Sequence, residues 1–188
     1  MRCLLIIFLI SISVNAISQV AGKIRAFGGF ALGTEAGINN DGSSSAQLGF
    51  TLGGEYFVTD QISAAPSYTY FFKSEIGSDN SVKFSAVNLD GRYYKEFNAV
   101  TLYGLFGIAI VRSKVELPPR IVSVGGGGTT VTTFTDGETI TDSDAGLNFG
   151  GGVIIPFADR LGFNGQIKYQ TPGNGQLVLN AGVVFDIN

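Results

Sequence analysis

Alternation between apolar and polar residues constrains this chain more than any other feature. In residues 161–170, Leu161, Phe163, Gly165, Ile167 and Tyr169 fall on one face, and Gly162, Asn164, Gln166, Lys168 and Gln170 on the other. A period of two is the mark of a β-strand, whose successive side chains point to opposite sides. The last segment repeats the design. Leu177, Leu179, Ala181, Val183, Phe185 and Ile187 share one face, while Val178, Asn180, Gly182, Val184 and Asp186 share the other. Six further segments read the same way, at residues 23–34, 47–57, 62–72, 85–94, 100–111 and 146–155. Each is about ten residues long, the length a tilted strand needs to cross a hydrocarbon layer.

The connections between segments alternate in length. Residues 58–61, 95–98 and 156–160 are tight, whereas 35–46, 73–84 and 112–145 are long, and 171–176 is shorter. Short turns at one end and longer loops at the other belong to antiparallel barrels of outer membranes. In lipid every backbone N–H and C=O needs an internal partner, which a closed sheet supplies and an open one does not. The fold expected is therefore all-β: a closed, eight-stranded, antiparallel, up-and-down transmembrane β-barrel. Pro66 lies within the third segment and cannot donate to a ladder, so a bulge or a break is expected there.

The first residues stand apart. Met1–Arg2 gives a positive start, an apolar stretch follows over residues 4–10, and Val14–Asn15–Ala16 and Ala16–Ile17–Ser18 are small-x-small patterns. This is the layout of a secretory signal peptide over residues 1–18, cut after Ala16 or Ser18. The mature domain is then residues 19–188. Cys3 is the sole cysteine and is discarded with the leader, and histidine is absent from the chain. Disulfides, thiolate metal sites and the commonest general base are thereby excluded. Without Arg2, 11 basic residues (12 less one) face 15 acidic ones, and no basic run exists, so nucleic acid is not expected as a partner.

The composition of the two faces chooses between a membrane barrel and a soluble one. Bulky Leu, Ile, Val, Phe and Tyr occupy one face; glycine and the sparse charges occupy the other. A narrow eight-stranded interior suits small residues and paired ions, and an outer wall in lipid suits the bulky apolar set. A lipocalin-like soluble carrier would reverse this. The charges assigned to the lumen are Lys23, Arg25, Glu55, Asp90, Arg92, Lys168 and Asp186. Both signs occur, and confined charge is tolerated when paired, so a network that plugs the barrel is expected. Tyr56, Tyr93, Phe157 and Phe185 fall at the short-turn ends, and Tyr70, Phe72 and Tyr169 at the opposite ends, as two interfacial aromatic girdles would.

With its leader, its eight segments, Tyr103–Gly104–Leu105–Phe106–Gly107–Ile108–Ala109 in the fifth and an alternating last strand, the chain resembles the outer-membrane β-barrel domain family of OmpA/OmpX type, the small "porin family" barrels. The resemblance covers residues 19–188. Members of that family usually end on an aromatic residue; here Phe185 is followed by Asp186, Ile187 and Asn188.

The expected function is a non-catalytic barrel of the outer membrane, structural or interacting through its external loops. Lipid is the expected partner and the monomer the expected state. A narrow solute channel and a soluble ligand-binding barrel are the alternatives. No cofactor, metal or catalytic residue is assigned, since a Ser-His-Asp set cannot be built without histidine. Residues 112–145 carry Gly125 to Gly128, a Thr-rich stretch and the acids Asp136, Glu138, Asp142 and Asp144. They are expected as a solvated external loop and as the place to seek a protein or surface partner. A hairpin between residues 122–124 and 131–134 is the alternative form of that segment, with an edge open to a partner strand.

Overall fold

A computed structural model describes residues 22–38, 43–76, 80–117, 120–126, 129–135 and 137–187. The expected signal peptide lies outside the described residues. Eleven strands follow one another: β1 (Ile24–Ile38), β2 (Ser44–Phe57), β3 (Ile62–Phe71), β4 (Ser74–Ile76), β5 (Asn80–Phe97), β6 (Val100–Leu117), β7 (Arg120–Gly126), β8 (Thr129–Thr135), β9 (Glu138–Ala158), β10 (Leu161–Gln170) and β11 (Gln176–Asp186). Eight of them make the barrel wall in the order β3, β2, β1, β11, β10, β9, β6, β5, and pairing of β3 with β5 closes it. The short β4 continues β3 along β5, and β7 and β8 form a separate hairpin.

The register makes the wall climb. Following paired residues from Phe57 leads through Ser63, Arg92, Leu105, Gly150, Lys168, Val178 and Gly33, and returns to β2 at Gln47, not at Phe57. That offset is the stagger that tilts the strands of a closed barrel. The same walk stays on the inner face, so the lumen is lined by a spiral of residues that are far apart in sequence.

Burial confirms the direction of each face. Phe30 is 68% exposed and its neighbour Ala31 is 1%. Phe163, Ile167, Leu179 and Val183 are all exposed on the outer wall, while Asn164, Gln166, Lys168 and Val178 are buried. The bulky apolar set therefore points outward, which removes the lipocalin-like arrangement. Inside, packing is tight enough to demand glycine. A Cβ added to Gly29 would stand 2.3 Å from the Ala181 carbonyl oxygen and 2.4 Å from the Gly182 Cα. Gly29 and Gly182 are direct partners across β1 and β11.

Two expectations change. Pro66 does not break its strand: β3 runs through it, with Pro66 opposite Leu89 of β5 and its side chain exposed. On the other side, the β2 pairing passes from Gly53–Ser67 to Tyr56–Ala64 in unchanged register, so the missing donor thins the ladder without shifting it. The segment expected as a loop over residues 112–145 is mostly strand. β6 and β9 pair from Arg112–Ser143 up to Leu117–Glu138, and the hairpin of β7 and β8 follows, with Val124 opposite Val131. Val111, Val115, Thr139, Ile140 and Thr141 favour strand, and no lipid imposes an apolar outer face this far out. The alternation that reveals spanning strands is therefore missing from a part that pairs just as regularly.

Candidate functional site

The inner face converges on a column of side chains between two mouths. At the short-turn end, the register sets Arg25 directly between Glu55 and Asp186. Its Nε donates to Asp186 Oδ1 at 2.6 Å, Lys23 Nζ lies 2.9 Å from Asp186 Oδ2, and Arg25 Nη1 stands 3.8 Å from Glu55 Oε2. The guanidinium lies over the rings of Phe57 and Tyr94, 5.1 and 5.7 Å from their centroids. A cavity of about 570 Å³ opens beneath this layer, lined by Lys23, Arg25, Phe57, Tyr94, Lys95 and Glu96 among others.

Deeper in, Glu55 is the hub. Its Oε1 accepts hydrogen bonds from Ser63 Oγ and from Tyr94 Oη, the latter at 2.6 Å, and its Oε2 lies 3.5 Å from Arg92 Nη1. Arg92 lies over Phe27, 4.4 Å from the ring centroid, and over Tyr103 at 5.1 Å. Its Nη2 donates to Gln166 Oε1 at 3.3 Å. Tyr103 Oη is within 2.9 Å of Asn164 Oδ1 and 3.1 Å of Gln166 Oε1.

Above this layer, Lys168 Nζ lies 3.6 Å from Asp90 Oδ2. Asn148 Nδ2 donates to Asp90 Oδ1 at 2.8 Å and to Asn88 Oδ1 at 3.0 Å. Gln170 Nε2 donates to Asn88 Oδ1 at 2.7 Å, and Gln170 Oε1 accepts from Gln176 Nε2 at 3.1 Å. Gly107 is the residue that lets Asp90 reach inward, because a Cβ there would stand 2.5 Å from Asp90 Oδ1. An apolar cap of Ala31, Ala36, Phe71 and Val178, with Phe84 against it, closes the column. A smaller cavity of about 220 Å³ lies in the outer mouth beside Glu35, Phe84, Asp142, Asp144 and Gln176.

Of the seven charges assigned to the lumen, Arg25, Glu55, Asp90, Arg92 and Lys168 lie inside and Lys23 and Asp186 stand partly exposed at the short-turn mouth; ion pairs join them in one group around Arg25, Glu55 and Arg92 and a second at Asp90 and Lys168. The apolar share of the column was not foreseen. Phe27, Phe57, Tyr94, Tyr103, Leu105, Ile154 and Val184 form one buried cluster. Its signal was the bulky residues that broke the polar face of their strands, such as Val178 and Val184. The seven aromatics expected as girdles stand on the outer wall. Tyr56, Phe72, Tyr93, Phe157 and Phe185 are exposed, and Tyr70 and Tyr169 are partly covered by the rings of Phe50 and Phe149, 5.6 and 5.3 Å away.

The sequence profile of the outer membrane protein β-barrel domain matches residues 4–185. The chain belongs to that family. Its localisation is accordingly the outer membrane. Among curated proteins none matches in sequence. Among solved structures, Neisserial surface protein A is similar at 17% identity, covering 88% of this chain and 96% of that one, with a TM-score of 0.60. Ail, the attachment invasion locus protein of Yersinia pestis, crystallised with the heparin analogue sucrose octasulfate, is 18% identical. It covers 88% and 100% with a TM-score of 0.56. The N-terminal β-barrel domain of Pseudomonas aeruginosa OprF is 15% identical, covering 89% and 99%, with a TM-score of 0.56. These neighbours share the eight-stranded outer-membrane barrel with this member of the family.

Proposed function

We propose that this protein is a non-catalytic outer-membrane barrel that is closed to solutes and acts through what it presents outside the cell. The observation that carries the reading is the filled column. Arg92, Lys168, Asp90, Asn88, Asn148, Gln170, Phe71 and Val178 lie in successive layers and each is at most 2% exposed. Water in a continuous pore would expose several of them. Outside, β6 and β9 carry the wall beyond the spanning part and end in the β7–β8 hairpin, a built scaffold for contacts with a partner. Planar-bilayer recording of the folded protein tests the closed lumen: only rare, irregular events are expected. Steady, reproducible openings would establish the narrow-channel alternative. Removal of residues 118–137 tests the external role, with loss of cell-surface binding expected in a barrel that still folds.

A further inference from the structure

The outer face of the β5–β6–β9 sector changes character abruptly. On these strands Val87, Leu89, Ile108, Ile110 and Leu147 are exposed on the apolar wall. The next residues outward on the same face are Ser85 and Lys83 on β5, Arg112 and Lys114 on β6, and, beyond Ala145, Ser143 and Thr141 on β9. Val87 is paired with Ile110, Ser85 with Arg112 and Lys83 with Lys114, so on β6 the cations follow the apolar residues without a gap. Arg112 is two residues beyond Ile110, about 7 Å along the strand. A cation at that position lies where hydrocarbon gives way to headgroups, since charge on the lipid face within the hydrocarbon is costly.

The patch is built for an anion. Glu116 is its carboxylate, and both Lys83 and Lys114 reach Glu116 Oε1 at 2.9 Å. Arg112 Nε donates to Ser143 Oγ at 3.4 Å and has no carboxylate partner among the described residues. On the outward face three cations stand against one acid, flanked by the hydroxyls of Ser85, Ser143 and Thr141, while Asp142 and Asp144 of β9 belong to the opposite face and line the outer-mouth cavity. On β1, on β2 and after β10, the outward residues just past the apolar band are uncharged: Thr34, Ala46 and Thr171. Guanidinium and ammonium groups together suit phosphate, the first as a bidentate fork and the second as a point charge.

We propose that Lys83, Arg112 and Lys114 hold the phosphate groups of an anionic lipid in the external leaflet, with its acyl chains lying on Val87, Leu89, Ile108 and Ile110. The site rests on the membrane placement of the barrel with its long connections outside, and not on the closed lumen, so either reading can fail alone.

The test uses the full mature chain, folded in neutral detergent and read by native mass spectrometry. The probes are bisphosphorylated lipid A and the same lipid with its phosphates removed. The wild type is expected to retain the phosphorylated form at least about tenfold better, on the scale of a few surface cations against an anionic headgroup. The variant K83Q/R112Q/K114Q should lose that preference, while K95Q/R160Q, at the opposite mouth, keeps it. Heat-dependent gel mobility checks that each variant is folded; if the triple variant fails this check, R112Q alone and the wild type in high salt serve instead. Equal retention of the two lipids by the wild type, an unchanged preference in K83Q/R112Q/K114Q, or full displacement by inorganic phosphate would overturn the site, the last by showing a free-anion patch.

Discussion

The ammonium of Lys168 lies 3.6 Å from the carboxylate of Asp90, with both side chains sealed inside the wall. Neither ion has water to fall back on, so the two depend on each other. Replacing Asp90 by Asn leaves a buried, unpaired ammonium and is expected to cost about 3–5 kcal/mol. The double variant D90N/K168Q removes both charges and should recover most of that loss. Urea titration of the folded band on cold gels measures both. A double variant no more stable than D90N would show that the pair does not act as a unit.

Arg92 is placed to be the stopper. It spans from Glu55 to Gln166 and fills the space over Phe27 and Tyr103. Truncation of Arg92 to Ala, together with Phe27 to Ala, opens the lumen at its most crowded level. The expected result is a new population of discrete conductance steps in planar bilayers, absent from the wild type. If F27A/R92A stays silent while folded, the layers at Lys168 and Phe71 close the barrel on their own.

Phe106 and Ile140 are both exposed apolar residues, at 62% and 50%, but they face different solvents. Phe106 pairs with Gly91 and Phe149 in the spanning part of the wall, whereas Ile140 pairs with Val115 on the ribbon above it. An arginine at the first site enters hydrocarbon and is expected to cost about 2–4 kcal/mol. At the second it meets water, and the change should stay within about 0.5 kcal/mol. Unfolding from vesicles compares F106R with I140R. Similar losses at the two sites would contradict the lipid boundary drawn between them.

The direction of each spanning strand was legible because lipid outside and a narrow lumen inside enforce opposite chemistry on alternate residues. Leu161 to Gln170 and Leu177 to Asp186 could be oriented from sequence alone for that reason. So could the inward place of Glu55, Asp90 and Arg92. What each charge pairs with was not legible. That Arg25 sits between Glu55 and Asp186 depends on two registers that bring together residues far apart in the chain. The outer half of β6 and the start of β9 read as loop in the sequence, because residues 112–116 and 139–145 face water on both sides and carry no alternation. The cation patch shares this cause: Lys83 meets Lys114 only once both strands extend past the membrane.

Glu116, beyond the apolar band on β6, gives this extension a titratable marker. Hydrogen bonds from the Lys114 and Lys83 ammonium groups hold its carboxyl down from the ordinary 4.5 to about 2. A carboxylate depressed in the folded state stabilises that state above its free pKa and loses the contribution as pH falls through the folded one. The fork is therefore fully engaged above pH 4.5 and released as the pH falls toward about 2. NMR titration of the Glu116 side-chain carbon in micelles should find its midpoint near the lower value, and K83Q/K114Q should move it back toward 4.5. A wild-type midpoint at the ordinary value would mean that the two lysines do not grip Glu116 in solution, and that β5 and β6 separate before they reach it.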